Sequence, residues 1–322
     1  MTYVFAQPLG SGRVKDIYDI IAELKNRAGQ SLGLATLVHA EGSSYRRPGA
    51  RLLIWPDGRT VGSLSGGCIE EEIAALAQPV IESGEPALVD FDTRRRFGCH
   101  GKIDVFIERL RPELFTAIDR ELRARRSCVV ITTPRGSFME LTPRTDPSAW
   151  QADHVSFTPF LQEVHPPIRL LIFGEGPDSK PLLRFGELLG WQCIEITDAN
   201  TLGFKSDAWT AAIVKSHNFG RDFAALVKLL PPNLRYVGLV GPKKRRDELL
   251  NELLAIGIPM NAGLFAPAGL DLNAETPEEI ALSIVSEIQR VFADGSGQSL
   301  RDQKEPIHRK STLTTPGLPI GW

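Results

Sequence analysis

Two kinds of hydrophobic pattern divide the chain. In the first half, short apolar runs alternate with turn signals and amphipathic stretches. Ile17, Ile20, Ile21 and Leu24 share one face of a helix predicted over 14–27. A strand follows at 32–39, then the strand RLLIW, and "PDG" at 56–58 is hairpin chemistry that returns the chain into TVGSL. Ile69, Ile73, Leu76 and Val80 keep helical spacing, and Pro79 is expected to bend or end that helix. ALVDF and KIDVFIERL read as strands around the loop DTRRRFGCHG, 112–126 as a helix, and CVVITT and SFMEL as a hairpin. The first half is therefore mixed α+β and rich in antiparallel pairs.

From Ile168 the pattern changes. The continuous apolar runs IRLLIF, CIEIT, AAIVKS and YVGLVG alternate with helical periods, as in an open parallel sheet covered on both faces. The chain thus reads as an α/β protein: an N-terminal mixed domain (1–144), a connection (145–166), a parallel-sheet domain (167–293) and a polar, disordered tail (294–322). The connection is rich in proline, with a short strand expected near 155–157. The last helix has a strong start signal, with Thr276 as N-cap, Pro277 first and Glu279 completing a capping box.

Composition narrows the class. A net charge of -2 gives no field that would recruit nucleic acid or an anionic membrane. No apolar run approaches the roughly 20 residues of a membrane span, and the first residues lack a secretory pattern. Cys68, Cys99, Cys128 and Cys193 form no CxxC pair, so free thiols and a cytoplasmic setting are expected.

Candidate chemistry gathers in two places. In the second half, Gly174 and Gly176 follow the first strand, where backbone amides can approach a phosphate. The third glycine of a full GxGxxG is replaced by Ser179, and Pro177 and Pro181 move the helix start to Asp178 or Ser179. Asp198 lies 22 residues after Gly176, where dinucleotide folds keep a ribose-binding acid. His217 ends the third strand and Gly241 the next, before the basic run Lys243 to Arg246. All fall after carboxyl ends of parallel strands, where doubly wound sheets bind ligands. In the first half, Arg46, Arg47 and Arg51 surround Pro48-Gly49, and Arg94 to Arg96 and Lys102 bracket Cys99-His100. If those loops meet they form a cationic pocket with two thiols and an imidazole; otherwise they are solvated arginines and packed cysteines. Cys68 follows Gly66-Gly67 at a helix start, which favours a thiolate, while Glu70, Glu71 and Glu72 oppose one. A soft thiolate suits molybdenum or sulfur transfer better than magnesium or calcium.

EGSSYRRPGARLLIWPDGRTVGSLSGGCIEEEI, FGCHGKIDVFIE and PAGLDLNAETPEEIALSIVSEI resemble the XdhC/CoxI family. That family assists molybdenum hydroxylases such as xanthine dehydrogenase. The resemblance implies a small N-terminal domain followed by a Rossmann-like domain. It also implies binding of molybdenum cofactor (molybdopterin), its sulfuration with a cysteine desulfurase, and delivery to the apo-hydroxylase. On this reading the protein is a maturation chaperone rather than a turnover enzyme. Cys68 is the ligand near the metal, Cys99 and His100 stand by, and the arginines and glycine turns hold phosphate. The loop Cys99-His100-Gly101 departs from the family's Cys-Gly-Gly, and GEGPDSKP departs from its GAGHVG. Two other readings stand beside it: an NAD(P)-dependent oxidoreductase with His217 or His100 as acid-base group, and an inert interaction module. A homo-oligomer is expected if the site closes between subunits.

Overall fold

The computed structural model describes residues 4–5, 15–25, 29–92, 101–141, 159–201 and 206–303. Helix α1 (Lys15–Lys25) buries Ile17, Ile20 and Ile21, the face marked by their spacing. The first sheet comprises β2 (Gly33–Gly42), β3 (Arg51–Ile54), β4 (Thr60–Gly62), β5 (Ala87–Asp92) and β6 (Gly101–Arg109). Its order is β4-β3-β2-β6-β5 and every pair is antiparallel.

Helix α2 (Glu70–Ser83) covers one face of this sheet, with Ile73, Ala77 and Ile81 packed among Ala35, Val105 and Ile107. Pro79, expected to bend or end the helix, does not end it. The helix continues to Ser83, where Gly84 closes it in the left-handed region at φ 79°. The proline forgoes one backbone hydrogen bond. Val80 and Ile81 beyond it are 4% and 5% exposed, so packing holds the last turn.

A second sheet joins β1 (Val4–Phe5), β7 (Cys128–Thr133), β8 (Gly136–Glu140) and β9 (Phe160–Val164) in the order β1-β9-β7-β8. Helix α3 (Pro112–Arg123) lies between the first sheet and β7 in the chain. Strand β9 falls inside the stretch read as a connection, whereas the expected strand at 155–157 lies outside the described residues. Its five residues stand between prolines that hide the signal, yet Phe160, Gln162 and Val164 are buried. Gln162 Nε2 donates to the Gly49 carbonyl at 3.1 Å, which ties the second sheet to the loop between β2 and β3.

The third sheet is parallel throughout: β10 (Arg169–Phe173), β11 (Gln192–Ile196), β12 (Thr210–Val214), β13 (Tyr236–Leu239) and β14 (Leu264–Phe265), in the order β11-β10-β12-β13-β14. Strand β14, only two residues long, carries no readable period. Helices α4 (Ser179–Leu188) and α7 (Pro277–Phe292) cover one face, with Leu182, Ile284 and Ile288 in one core. Helices α5 (Phe219–Leu229) and α6 (Lys243–Ala255) cover the other, with Leu226, Leu249 and Leu253 in a second. Both halves of the expected Thr276/Glu279 capping box are formed. The stretch expected to be a disordered tail contains a short 3-10 turn at Leu300–Asp302; 304–322 lie outside the described residues.

The two halves meet at a polar joint. Arg125, in the left-handed region at φ 60°, forms a fork to Asp207 at 2.8 and 3.0 Å and also donates to the carbonyls of Pro167 and Trp209. Burial opposes ionisation of Asp207, but the Arg125 hydrogen bonds and charge outweigh it and hold the carboxyl below its usual range. The Tyr18 hydroxyl donates to the His165 carbonyl at 2.8 Å, and the His165 ring stacks on Trp209 with centroids 4.2 Å apart. Replacing Arg125 by Ala strands the Asp207 carboxylate in the joint, and a loss of about 2–4 kcal/mol in denaturant unfolding is expected. Arg125→Lys should recover less than half of it, because a lysine cannot form the fork.

Candidate functional site

The register of the first sheet decides where its loops go. The C-terminal end of β2 pairs with the N-terminal end of β6 (Gly42 with Gly101), and the end of β5 pairs beside it (Asp92 with Lys102). Strand β3 begins, and β4 ends, at the same side (Leu52 with Gly62). The loop 43–50, the turn carrying Cys68 and both flanks of 93–100 therefore leave one end of one sheet. The contacts there are close. A Cβ on Gly66 would stand 3.0 Å from the Tyr45 ring, and one on Gly101 would stand 2.3 Å from the Ser43 carbonyl. Residues 93–100, with Arg94 to Arg96, Cys99 and His100, lie outside the described residues.

Glu70 builds the Cys68 turn. Its carboxylate accepts from the amides of Leu64, Ser65, Gly67 and Ile69 and from the hydroxyls of Ser63 and Ser65, at 2.6–3.2 Å. Burial opposes the charge, but the Ser65 hydroxyl and amide and the Leu64 amide outweigh it, and the carboxyl falls to about 2. The Cys68 amide donates to the Ser65 hydroxyl at 3.0 Å, and its side chain is exposed. The amides of Gly67, Cys68 and Ile69 around the thiol are therefore bound to the Glu70 carboxylate and the Ser65 hydroxyl. Gly66 and Gly67, at φ 89° and 113°, let the turn close around that carboxylate.

The three arginines around Pro48-Gly49 do not share one pocket. Arg51 is 2% exposed in β3, donates to the Gly49 carbonyl at 3.2 Å, and is pushed by burial down to about 10 against the charges of Glu108 and Asp16. It is interior because β3 is buried on both faces, so it is not placed to meet a ligand. Arg46 pairs with Asp16 at 2.5 Å, which pins the loop to α1. Arg47 is half-buried, and part of its guanidinium is desolvated, which lowers its affinity for a proton. Among the described residues no three His, Cys, Asp or Glu side chains gather to hold a metal ion, so Cys68 has no such companions there.

The parallel sheet has an edge of its own. Gly174, at φ 123°, passes so close to β12 that a Cβ would stand 2.7 Å from the Ser216 Cα. Helix α4 begins at Ser179, after Asp178, as the prolines required. The Asp178 carboxylate holds the Lys215 ammonium at 2.8 Å and the His217 ring at 3.4 Å, and a Cβ on Gly176 would stand 2.7 Å from it. Burial opposes its charge, but Lys215 and then His217 outweigh that and keep Asp178 below its usual range. His217 itself is in the left-handed region, at φ 54°, and exposed. Gly241 opens towards Arg245, which is bound to the buried Asp222. Beside this cluster a cavity of 480 Å³ takes in Gly174 and Asp198 of the expected residues, and Ser216, Asn218 and Arg221, which were not expected. Gly176, His217 and Gly241 do not line it.

Residues 26–92 match the XdhC and CoxI family, and residues 170–288 match the XdhC Rossmann domain. The chain is 30% identical over 308 residues to a probable xanthine dehydrogenase subunit of Bacillus subtilis (strain 168), covering 79% of this chain and 91% of that protein. The chain belongs to the XdhC and CoxI family. It is also 24% identical over 282 residues to the molybdenum cofactor insertion chaperone PaoD of Escherichia coli (strain K12), covering 82% and 84% of the two chains. A crystal structure of a xanthine dehydrogenase from Bacillus halodurans is similar in fold, with a TM-score of 0.74, 28% identity, and 90% and 98% coverage. No helix of the described residues is long and apolar enough to cross a membrane.

Two residues of this XdhC and CoxI chain escape sequence reasoning for different reasons. Glu70 is one of three glutamates in a first turn, and only the fold distinguishes it. Lys215 does carry a signal, as the one charge at the end of the apolar run AAIV. Because the folded state favours ionised Glu70, its contribution is complete above pH 4.5 and fades as the pH falls towards 2. Glu70→Ala should lower stability by about 1–2 kcal/mol at pH 7, and thermal melts should show the difference from wild type shrinking through that acid window.

Proposed function

We propose that the protein holds molybdenum cofactor as cargo at the Cys68 end of the first sheet. There it supports sulfuration of the cofactor by a cysteine desulfurase and delivers it to a molybdenum hydroxylase of the xanthine dehydrogenase kind. The observation that carries this reading is the convergence of loop 43–50, the Cys68 turn and the flanks of 93–100 at one sheet end. The names of the two curated relatives, one a xanthine dehydrogenase subunit, the other a cofactor insertion chaperone, support the choice of client and cargo.

The residues suit such a cargo. A thiol is a soft ligand for molybdenum, and Cys68 is exposed on a turn fixed by Glu70. Arg47, and Arg94 to Arg96 and Cys99-His100 of the second loop, would add phosphate and metal contacts. Arg46 and Arg51 act at one remove, by pinning the loop to α1 and to the sheet interior. An exposed site is what a carrier needs, since desulfurase and apo-hydroxylase must each reach the cargo in turn. A homo-oligomer would shield it between visits. An oxidoreductase reading leaves this sheet end without a task.

The test is expression in a host that makes molybdenum cofactor, followed by assay of bound molybdenum and pterin. Wild type should retain both in near-equal amounts. Cys68→Ala should melt like wild type yet lose most of the molybdenum, because its turn is held by Glu70 and not by the thiol. Absence of cofactor from wild type would sink the proposal.

A further inference from the structure

The cavity on the parallel sheet stands apart from the Cys68 turn in its chemistry. It opens over the carboxyl ends of β10, β11 and β12, beside the β10/β12 boundary where the strand order reverses. Its 480 Å³ is typical of small-molecule sites, which run from about 300 to 1,000 Å³. Phe173, Ile196 and Ala224 supply apolar wall, and Asp198 supplies a carboxylate at the end of β11. That is the place from which such folds bind a ribose diol. The opposite rim is the first turn of α5, with Gly220 and Arg221. The Asn218 side chain accepts from the Arg221 amide at 3.0 Å, and the buried Asp222 carboxylate of this turn is paired with Arg245 and accepts from the Ser216 amide. The Arg221 guanidinium has no carboxylate partner among the described residues.

The glycine turn next to this cavity is already occupied by the protein's own charge. In a dinucleotide site the pyrophosphate lies over the N-terminus of the helix after the first strand. Here Asp178 stands at that N-terminus. Lys215, 2% exposed, fixes its carboxylate from below, and His217 flanks it. Gly176 leaves room for this carboxylate, which a Cβ would meet at 2.7 Å. A diphosphate in that place would face a fixed like charge, and the buried Lys215 ammonium is already paired with it.

We propose that the parallel-sheet domain binds a ribonucleoside 5′-monophosphate in this cavity, with the ribose diol on Asp198 and the phosphate at the first turn of α5 beside Arg221, and that Asp178 excludes a diphosphate bridge from the glycine turn. The proposal does not rest on the identity of the cargo at Cys68.

Isothermal titration of the full chain tests it, with AMP, CMP, GMP and UMP, their 2′-deoxy forms, ADP, NAD and inorganic phosphate as probes. At least one ribonucleoside monophosphate should saturate one site below about 1 mM. Its 2′-deoxy form should bind at least about tenfold more weakly, as for loss of a hydrogen bond to a charged group. Asp198→Asn and Arg221→Ala should each weaken binding to a similar extent. Asp178→Asn should tighten ADP and NAD by about tenfold, the order of removing one close like charge, and leave the monophosphate nearly unchanged. Failure of every monophosphate to saturate, equal binding of the deoxy form, or tighter binding of NAD than of any monophosphate by wild type would each overturn the proposal. Those wild-type comparisons decide it even where a variant fails to fold.

Discussion

An antiparallel sheet sends successive connections to opposite ends, and that constraint organises the first domain. Its five strands keep their tight connections at one end, such as the hairpin after β3. Loop 43–50, the Cys68 turn and the flanks of 93–100 are left at the other. The β2/β6 pairing fixes this arrangement, with one irregularity between Leu37 and His39. A one-residue slip elsewhere would move Leu34 off the face it shares with Ile17 and Leu53, and Val105 and Ile107 off the face that packs against α2. The hydrophobic faces thus hold the register, and the register holds the site.

Much of this was legible in the sequence. Alternating short runs gave the antiparallel half, continuous runs gave the parallel one, and Thr276-Pro277 with Glu279 gave the start of α7 to the residue. Strand β9 escaped because proline-rich sequence masks a strand whose stability comes from neighbours on both sides. Pro79 does not end α2, because helix propensity is a local term and burial of Val80 and Ile81 outweighs it. The arginines misled for a related reason. Residue type and spacing mark cations, but only packing shows that Arg51 points into the interior and that Arg46 is taken by Asp16.

The same division holds for the glycine turns. Sequence placed Gly174, Gly176 and Asp198 at strand ends, and the structure finds them there. It could not say that Asp178 and Lys215 would close on each other, since 37 residues separate them in the chain. The family match covers both halves. It makes the shared frame secure, and inside that frame the Asp178–Lys215 pair stands beside the glycine turn.

The joint between the halves has an optical consequence. Burial, with the nearby Arg235 charge, lowers the His165 imidazole to about 4, so it is neutral near pH 7. It lies against the Trp209 indole with the rings 23° apart. The backbone amide of Trp209 is held by Asp207, the residue that Arg125 grips. Separation of the halves would pull the indole from its stacking partner and admit water to its face. In a variant whose other four tryptophans are replaced, the emission of Trp209 would therefore report the docking of the two halves without any added label.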